Sequence, residues 1–296
     1  MPVAPTNDAL SPLPLHPNHL TQTMTNSLCF VGSTGLFSLA ALQTLIEQKA
    51  NISQIILAAY APATTPDKVL PVSLSPLAKP LKTDTSSIAA LATQHHIPIH
   101  YAGNNINNFP SWKNFPHDTP PEYLFVACFP FRLPTALRQW PGKIAVNLHP
   151  SLLPGFRGPD PIFWQLQHGE PQTGFSLHLL ADALDAGPIL LQHPVYFPQG
   201  ASRNELDTLL AQQGSRAFCS LLSTPAPPPS EQDPHLASYP PLPQAEDFAL
   251  HAHWSAERAY NFISGTHTPV DGYPVRLNGQ QHHIISALSY ESAKTL

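Results

Sequence analysis

Asn147 and His149, two residues apart in Ile144-Ala145-Val146-Asn147-Leu148-His149, and Asp185 in Leu184-Asp185-Ala186-Gly187 are residues whose types and placement suit one chemistry. An amine that attacks a carbonyl carbon passes through a tetrahedral species. A site for that reaction must offer donors to the developing oxyanion and take a proton from the nitrogen. The amide of Asn147 has two N–H donors and no charge, and His149 can donate as well as relay a proton near neutral pH. A carboxylate beside the histidine fixes its tautomer and favours its charged form. Asp185 is the candidate, because it lies on a turn, ended by Gly187, between two expected strands. Taken singly, such residues at strand ends are more often turn formers than catalysts.

The elements that must carry these groups follow from apolar patterning. Leu28 to Val31 reads as a strand ending at Gly32, and Leu36, Leu39, Ala40, Leu42, Leu45 and Ile46 fall at helical spacing. Ile55 to Tyr60 reads as a buried strand, followed by a proline-rich loop from Ala61 to about Ser87. A short helix over Ile88 to Ala92 precedes Ile97 to Tyr101, where Pro98 denies a ladder hydrogen bond and predicts an edge strand. Tyr123 to Ala127 is a further strand. In Ile144 to His149 the period of two puts Asn147 and His149 on one face, and Pro150 ends the strand. Asp160 is placed to cap a helix from Pro161 to a stop at Gly169. Phe175 to Leu180 and Pro188 to Phe197 are strands joined by the turn 181–187. Ser202 with Glu205 forms a capping box ahead of a long helix. This alternation predicts a doubly wound, mostly parallel α/β sheet, whose ligands lie beyond the carboxyl ends of its strands.

The expected organisation is a flexible tail over 1–26, a main domain over 27–224, a proline-rich extended linker over 225–244 and a small β-rich C-terminal unit over 245–296. The 296 residues carry a net charge of −5 with only 14 Lys and Arg, so no general attraction to nucleic acid is expected and DNA is excluded as a partner. No apolar run approaches the ~20 residues of a membrane helix, and the N-terminus has no signal-peptide pattern. Cys29, Cys128 and Cys219 sit among apolar residues, as buried free thiols of a reducing, cytoplasmic compartment would. The 16 histidines include His251 with His253 and His282 next to His283, without metal-ligand spacing, and no metal is expected.

The run Asn147-Leu148-His149-Pro150-Ser151-Leu152-Leu153-Pro154-Gly155-Phe156-Arg157-Gly158 resembles the Asn-x-His-x-Ser-Leu-Leu-Pro signature of the folate-dependent formyltransferases. That family includes the methionyl-tRNA, glycinamide ribonucleotide and sugar-nucleotide formyltransferases. The likeness continues through Pro161-Ile162, Gly169, Thr173-Gly174, His178, Asp182 and Leu184-Asp185-Ala186-Gly187, and covers roughly Leu28 to Leu222. It implies a Rossmann-type catalytic domain and 10-formyltetrahydrofolate as the formyl donor. It also implies that Asn147 and His149 bind the formyl oxygen while Asp185 holds His149. Carried over in the same way, Phe129, Phe131, Arg132, Leu133, Ala181 and Asp182 would line the folate site. Ser151 would shape the turn below His149, and Arg157 and Gly158 would belong to the acceptor-side loop.

The acceptor amine stays open between methionyl-tRNA, as the charged initiator tRNA, and a small amine such as an amino-sugar nucleotide. Lys68, Lys79 and Lys82 oppose Asp67 and Asp84 in the loop after the second strand, and the C-terminal unit offers only Arg258, Arg276 and Lys294. Trp254 to Tyr260 nevertheless resembles the start of the C-terminal region shared by the methionyl-tRNA and sugar-nucleotide enzymes. Ala127-Cys128-Phe129 departs from the family's Ala-Tyr-Gly. A non-catalytic folate-binding module and a hydrolase releasing formate are the remaining alternatives.

Overall fold

The computed structural model describes residues 26–58, 87–102, 120–223, 228–267, 269 and 271–291. Nearly all of the expected N-terminal tail and of the proline-rich loop, with Lys68, Lys79 and Lys82, falls outside these residues. Seven strands form one sheet: β1 (Ser27–Gly32), β2 (Asn51–Ala58), β3 (Ile99–Ala102), β4 (Tyr123–Ala127), β5 (Ile144–His149), β6 (Gln172–Leu179) and β7 (Ile189–Tyr196). Their order is β3-β2-β1-β4-β5-β6-β7. The first five are parallel, and β6 and β7 are antiparallel to their neighbours. β3 is an edge strand, as Pro98 predicted, and the Pro98 carbonyl accepts from Ile55 N–H at 2.9 Å.

Helices α1 (Leu36–Glu47), α2 (Ile88–Gln94) and α5 (Arg203–Ser223) cover one face over a core that includes Phe30, Phe125, Leu148, Leu177 and Phe218. The other face carries a smaller cluster of Cys29, Val31, Ile56, Leu124, Val126, Ala145, Leu133 and Leu137, the last from the short helix α3 (Thr135–Arg138). Covering both faces is why β4 is buried along its whole length and reads as a continuous apolar run. The chain winds outward from β1 to β3 and then returns to lay β4 on the opposite side of β1. The switch point therefore lies between β1 and β4, and β5 ends next to it.

Alternation along β5 turns Val146 and Leu148 into the larger core and leaves Ala145, Asn147 and His149 on the opposite face. On the antiparallel neighbour β6, His178 stands opposite Asn147 and Ser176 opposite His149. Helix α4 (Pro161–His168) stops at Gly169, whose φ is +74°. Asp160 occupies its N-cap position but makes no capping bond. Its backbone is left-handed, and its carboxylate instead pairs with Arg203 Nη1 at 2.7 Å. The capping box of α5 forms: Ser202 N–H donates to Glu205 Oε2 at 2.8 Å and Glu205 N–H to Ser202 Oγ at 3.3 Å. Cys29 and Cys219 are buried, whereas Cys128 is exposed because it sits past the end of β4 with φ +58°. Among the described residues, no helix is long and apolar enough to cross a membrane.

After α5 the chain pairs at Ser230 with Ile189 of β7 and at Ser238 meets the loop after β5. It then forms α6 (Ala256–Gly265) and a two-stranded antiparallel sheet of β8 (Tyr273–Leu277) and β9 (Gln280–Ile284). Phe262, Tyr273 and Val275 join the same buried cluster as Phe163 of α4.

The turn that carries Asp185 is pressed against β6 at Gly187, where an added Cβ would lie 1.9 Å from the Leu179 carbonyl oxygen. No backbone can tolerate that approach, so Gly187→Ala should destabilise the fold by about 3 kcal/mol. Gly279→Ala, with nothing within 4 Å of the new methyl and only a positive φ to oppose it, should cost about 1 kcal/mol. Paired thermal denaturation of the two variants checks the order.

Candidate active site

The two hydrogen-bonding edges of His178 fix the polarity of the cluster. His178 Nδ1 lies 2.9 Å from the Leu179 carbonyl, which can only accept, so Nδ1 carries the proton and Nε2 is the acceptor. Asn147 Nδ2 then donates to His178 Nε2 at 3.0 Å, which orients the amide. Its second hydrogen is directed at Asp185 Oδ1, at 3.3 Å. On the adjacent residue pair the same logic holds. His149 Nε2 lies 2.8 Å from the Phe156 carbonyl and must donate to it, leaving the Nδ1 lone pair facing Asp185 Oδ2 at 3.6 Å.

Asp185 has φ +50° and its side chain is 9% exposed. Besides Asn147, it accepts from the backbone N–H of Gly158 at 2.8 Å, and His178 Nε2 stands 3.5 Å away. Burial alone would raise its pKa. The neighbouring His149 and His178 rings and the Gly158 N–H outweigh that and hold it at about 2. Burial dominates at His149 and pushes the imidazole below its ordinary value, against the opposing pull of Asp185 and the Phe156 carbonyl. At neutral pH the cluster thus sets an ionised Asp185 against a His149 ring that burial holds neutral. A proton arriving at His149 Nδ1 turns a lone pair facing a carboxylate into an ion pair.

The loop after β5 is folded to serve these groups. Ser151 is fully buried; its hydroxyl donates to the Gly155 carbonyl at 2.8 Å and closes the turn, while its own carbonyl accepts from Ser176 Oγ at 2.6 Å. That turn delivers the Phe156 carbonyl to His149 and the Gly158 N–H to Asp185. Arg157 points away from the cluster. Its guanidinium is buried and donates to Gln232 Oε1 from Nε at 3.0 Å and Nη2 at 2.6 Å, and to the Tyr239 hydroxyl.

The other six expected residues form a second group beside the first. Arg132 Nη2 donates to the Asp182 carbonyl at 2.5 Å, and the Asp182 carboxylate pairs with Arg138, joining the segment 129–133 to the turn that follows β6. Phe129 and Phe131 meet edge to face with centroids 5.6 Å apart, and Leu133 is buried beneath them in the smaller core. Ala181 is half-buried on the same turn as Asp182. Among the described residues no group of three or more His, Cys, Asp or Glu is placed to hold a metal ion.

His178 and Gln232 belong to the arrangement without having been singled out from sequence for a role. His178 was visible only as one more position of the resemblance. Its place opposite Asn147 follows once β5 and β6 are paired antiparallel in register. Gln232 lies in the proline-rich stretch after α5, where composition predicts an extended linker and nothing marks a polar contact with a remote turn.

A family model for formyl transferases matches residues 82–222, the region that holds Asn147, His149, His178 and Asp185. The methionyl-tRNA formyltransferase of Syntrophus aciditrophicus is 31% identical over 273 residues, covering 90% of this chain and 81% of its own length. A solved 4-N formyltransferase from Francisella tularensis shares the fold with a TM-score of 0.58 at 14% identity, over 91% of this chain and 100% of that one. WlaRD, a sugar 3N-formyl transferase, does so with a TM-score of 0.55 at 13% identity, over 86% of this chain and 84% of that one. With identity sustained along most of a relative's length and the family's sheet beneath it, the chain belongs to the folate-dependent formyltransferase family.

Proposed function

We propose that the protein transfers the formyl group of 10-formyltetrahydrofolate to a primary amine, with Asn147, His149 and Asp185 as its catalytic residues. The observation that carries this reading is the convergence of all three side chains within hydrogen-bonding or ion-pair reach, in a site shielded from water. The cosubstrate supplies an activated formyl carbonyl. The residues beside the cluster suit such a group: the edge-to-face Phe129–Phe131 pair and the buried Leu133 offer an apolar surface, and the backbone of the turn at Ala181 and Asp182 offers polar edges.

The chain's own groups divide the work. Asn147 keeps the bond to His178 and can redirect its longer donation, the 3.3 Å one to Asp185, toward a carbonyl oxygen that gains negative charge. His149, kept neutral by burial, takes up the amine proton at Nδ1, where the Asp185 carboxylate then stabilises it. Asp185 stays ionised throughout. Ser151 and Gly158 hold the loop, and Arg157 braces it from behind.

For the acceptor, the sustained identity to methionyl-tRNA formyltransferases favours methionyl-tRNA. A small amine, such as an amino-sugar nucleotide, is the second reading, and the low Lys and Arg content favours it. Arg157 and Arg203 are engaged in internal bonds, and Arg258 donates to the Gln167 carbonyl and lies over the Trp254 ring at 4.0 Å. With 14 Lys and Arg in 296 residues, phosphate binding would have to rest on few side chains.

Asn147→Ala and His149→Ala should each lower turnover by ~10²-fold or more with an unchanged circular-dichroism spectrum. Parent-like activity in either would remove the assigned role. The acid behaviour follows from the two shifted groups. Asp185 titrates at about 2 against an ordinary 3.8, and His149 lies below 6.5, so the folded chain binds fewer protons than the unfolded one at both sites. Their stabilisation is complete at neutral pH, begins to fall once the pH drops below about 6.5, and is lost for Asp185 as the pH falls from about 4 to about 2. Chemical denaturation across pH should therefore show a shallower acid limb between pH 4 and 2 in Asp185→Asn, along with impaired transfer at neutral pH. Mixing the enzyme with 10-formyltetrahydrofolate and either charged initiator tRNA or amino-sugar nucleotides, and following release of tetrahydrofolate, identifies the acceptor. Release without any acceptor would instead reveal a hydrolase.

A further inference from the structure

The segment after α5 does more than connect. Ser230 pairs with Ile189 of β7 through both backbone bonds, at 2.7 and 2.8 Å. Ser238 then brackets the loop after β5: its N–H donates to the Pro154 carbonyl at 3.3 Å, its carbonyl accepts from Arg157 N–H at 3.0 Å and its hydroxyl accepts from Phe156 N–H at 2.7 Å. Between these anchors, Gln232 spends every atom of its amide on the two loops that meet at Asp185. Nε2 donates to the carbonyls of Asp185 at 2.8 Å and Gly187 at 2.7 Å, while Oε1 accepts both Arg157 bonds.

The main chain at Asp185 is left-handed, a conformation that non-glycine residues seldom keep without outside support. The bond from Gln232 to the Asp185 carbonyl is such a support. Through Arg157, the same amide also ties down the loop that presents the Gly158 N–H to the carboxylate. We propose that Gln232 is a positioning residue that locks the Asp185 turn to the Arg157–Gly158 loop and so holds the carboxylate against His149. The proposal rests on the catalytic reading of Asp185 and His149 given above. The hydrogen bonds of Gln232 go to Arg157 and to the backbone carbonyls of Asp185 and Gly187, so it acts on the carboxylate through the backbone of the turn.

Two variants separate the halves of the amide. Gln232→Glu keeps an acceptor for Arg157 but has no hydrogens for the two carbonyls, and Gln232→Met keeps the length and loses both. Each should lower kcat for formyl transfer by ~10- to 10²-fold, as expected for a misplaced catalytic group, with the KM for the formyl donor within about twofold. Combined with Asp185→Asn, neither should reduce kcat further, because the carboxylate that Gln232 positions is already gone. A second readout does not depend on activity. The His149 ring protons, assigned by their loss in His149→Gln, should titrate at lower pH in Gln232→Met, which adds no charge, than in the parent. The carboxylate that favours its charged form would have moved away, whereas the burial, His178 and Arg157 that oppose it remain. Parent-like titration in Gln232→Met overturns the proposal whatever the activity does, and so does a multiplicative loss in the double variants. If the parent transfers formyl to no acceptor, the functional reading falls, and the His149 titration still decides the role of Gln232.

Discussion

A carboxylate held out of water governs this structure. Leaving such a charge without partners costs about 3–5 kcal/mol, so the fold around Asp185 is organised to supply them: the Asn147 amide and the Gly158 N–H, with the His149 ring placed to take a proton facing it. They come from β5 and the loop that follows it, and Asp185 reaches them from a turn 27 residues past Gly158. The strand pairing of β5 with β6, the tight turn after β5 and the close approach of Gly187 to β6 are all conditions for one small anion to stay ionised.

The sheet's change of direction is what makes this geometry accessible. A parallel β6 would have run in the same direction as β5, whereas the antiparallel β6 brings His178 opposite Asn147 and ends beside Val146, where the turn begins that folds back to place Asp185 against Asn147 and His149. Asn147 is oriented by the His178 ring, which is itself anchored to a backbone carbonyl, so the fold fixes the direction of its amide. The same holds for His149, whose one free lone pair is aimed by the Phe156 carbonyl on its far side.

Much of this was legible in the sequence. The strands, the edge position of β3, the capping box at Ser202 and the shared face of Asn147 and His149 all follow from local pattern, because each is decided within a few residues. Asp160 was not legible as an ion-pair partner. Its type and position suit a cap, and only the arrival of Arg203 from a helix 43 positions away redirects its carboxylate. Cys128 looked buried from its apolar neighbours, but the chain turns outward with a positive φ directly after β4. Gln232 was hidden for the same reason as Arg203: a long-range polar contact leaves no periodic trace, and proline-rich composition speaks only to backbone stiffness.

The aromatic contacts between α4 and the C-terminal residues have a bearing on how such a protein diversifies. Phe163 is packed at 4.8 Å from Phe248 and 5.3 Å from Phe262, and Phe262 in turn at 5.8 Å from Tyr273. Rings shared in this way make the last part of the chain a wall of the enzyme's own interior. Swapping it wholesale for another module would uncover α4 and the loop that begins it. New preferences would therefore have to arise by changing side chains on the outer surface of that wall, leaving the wall itself in place.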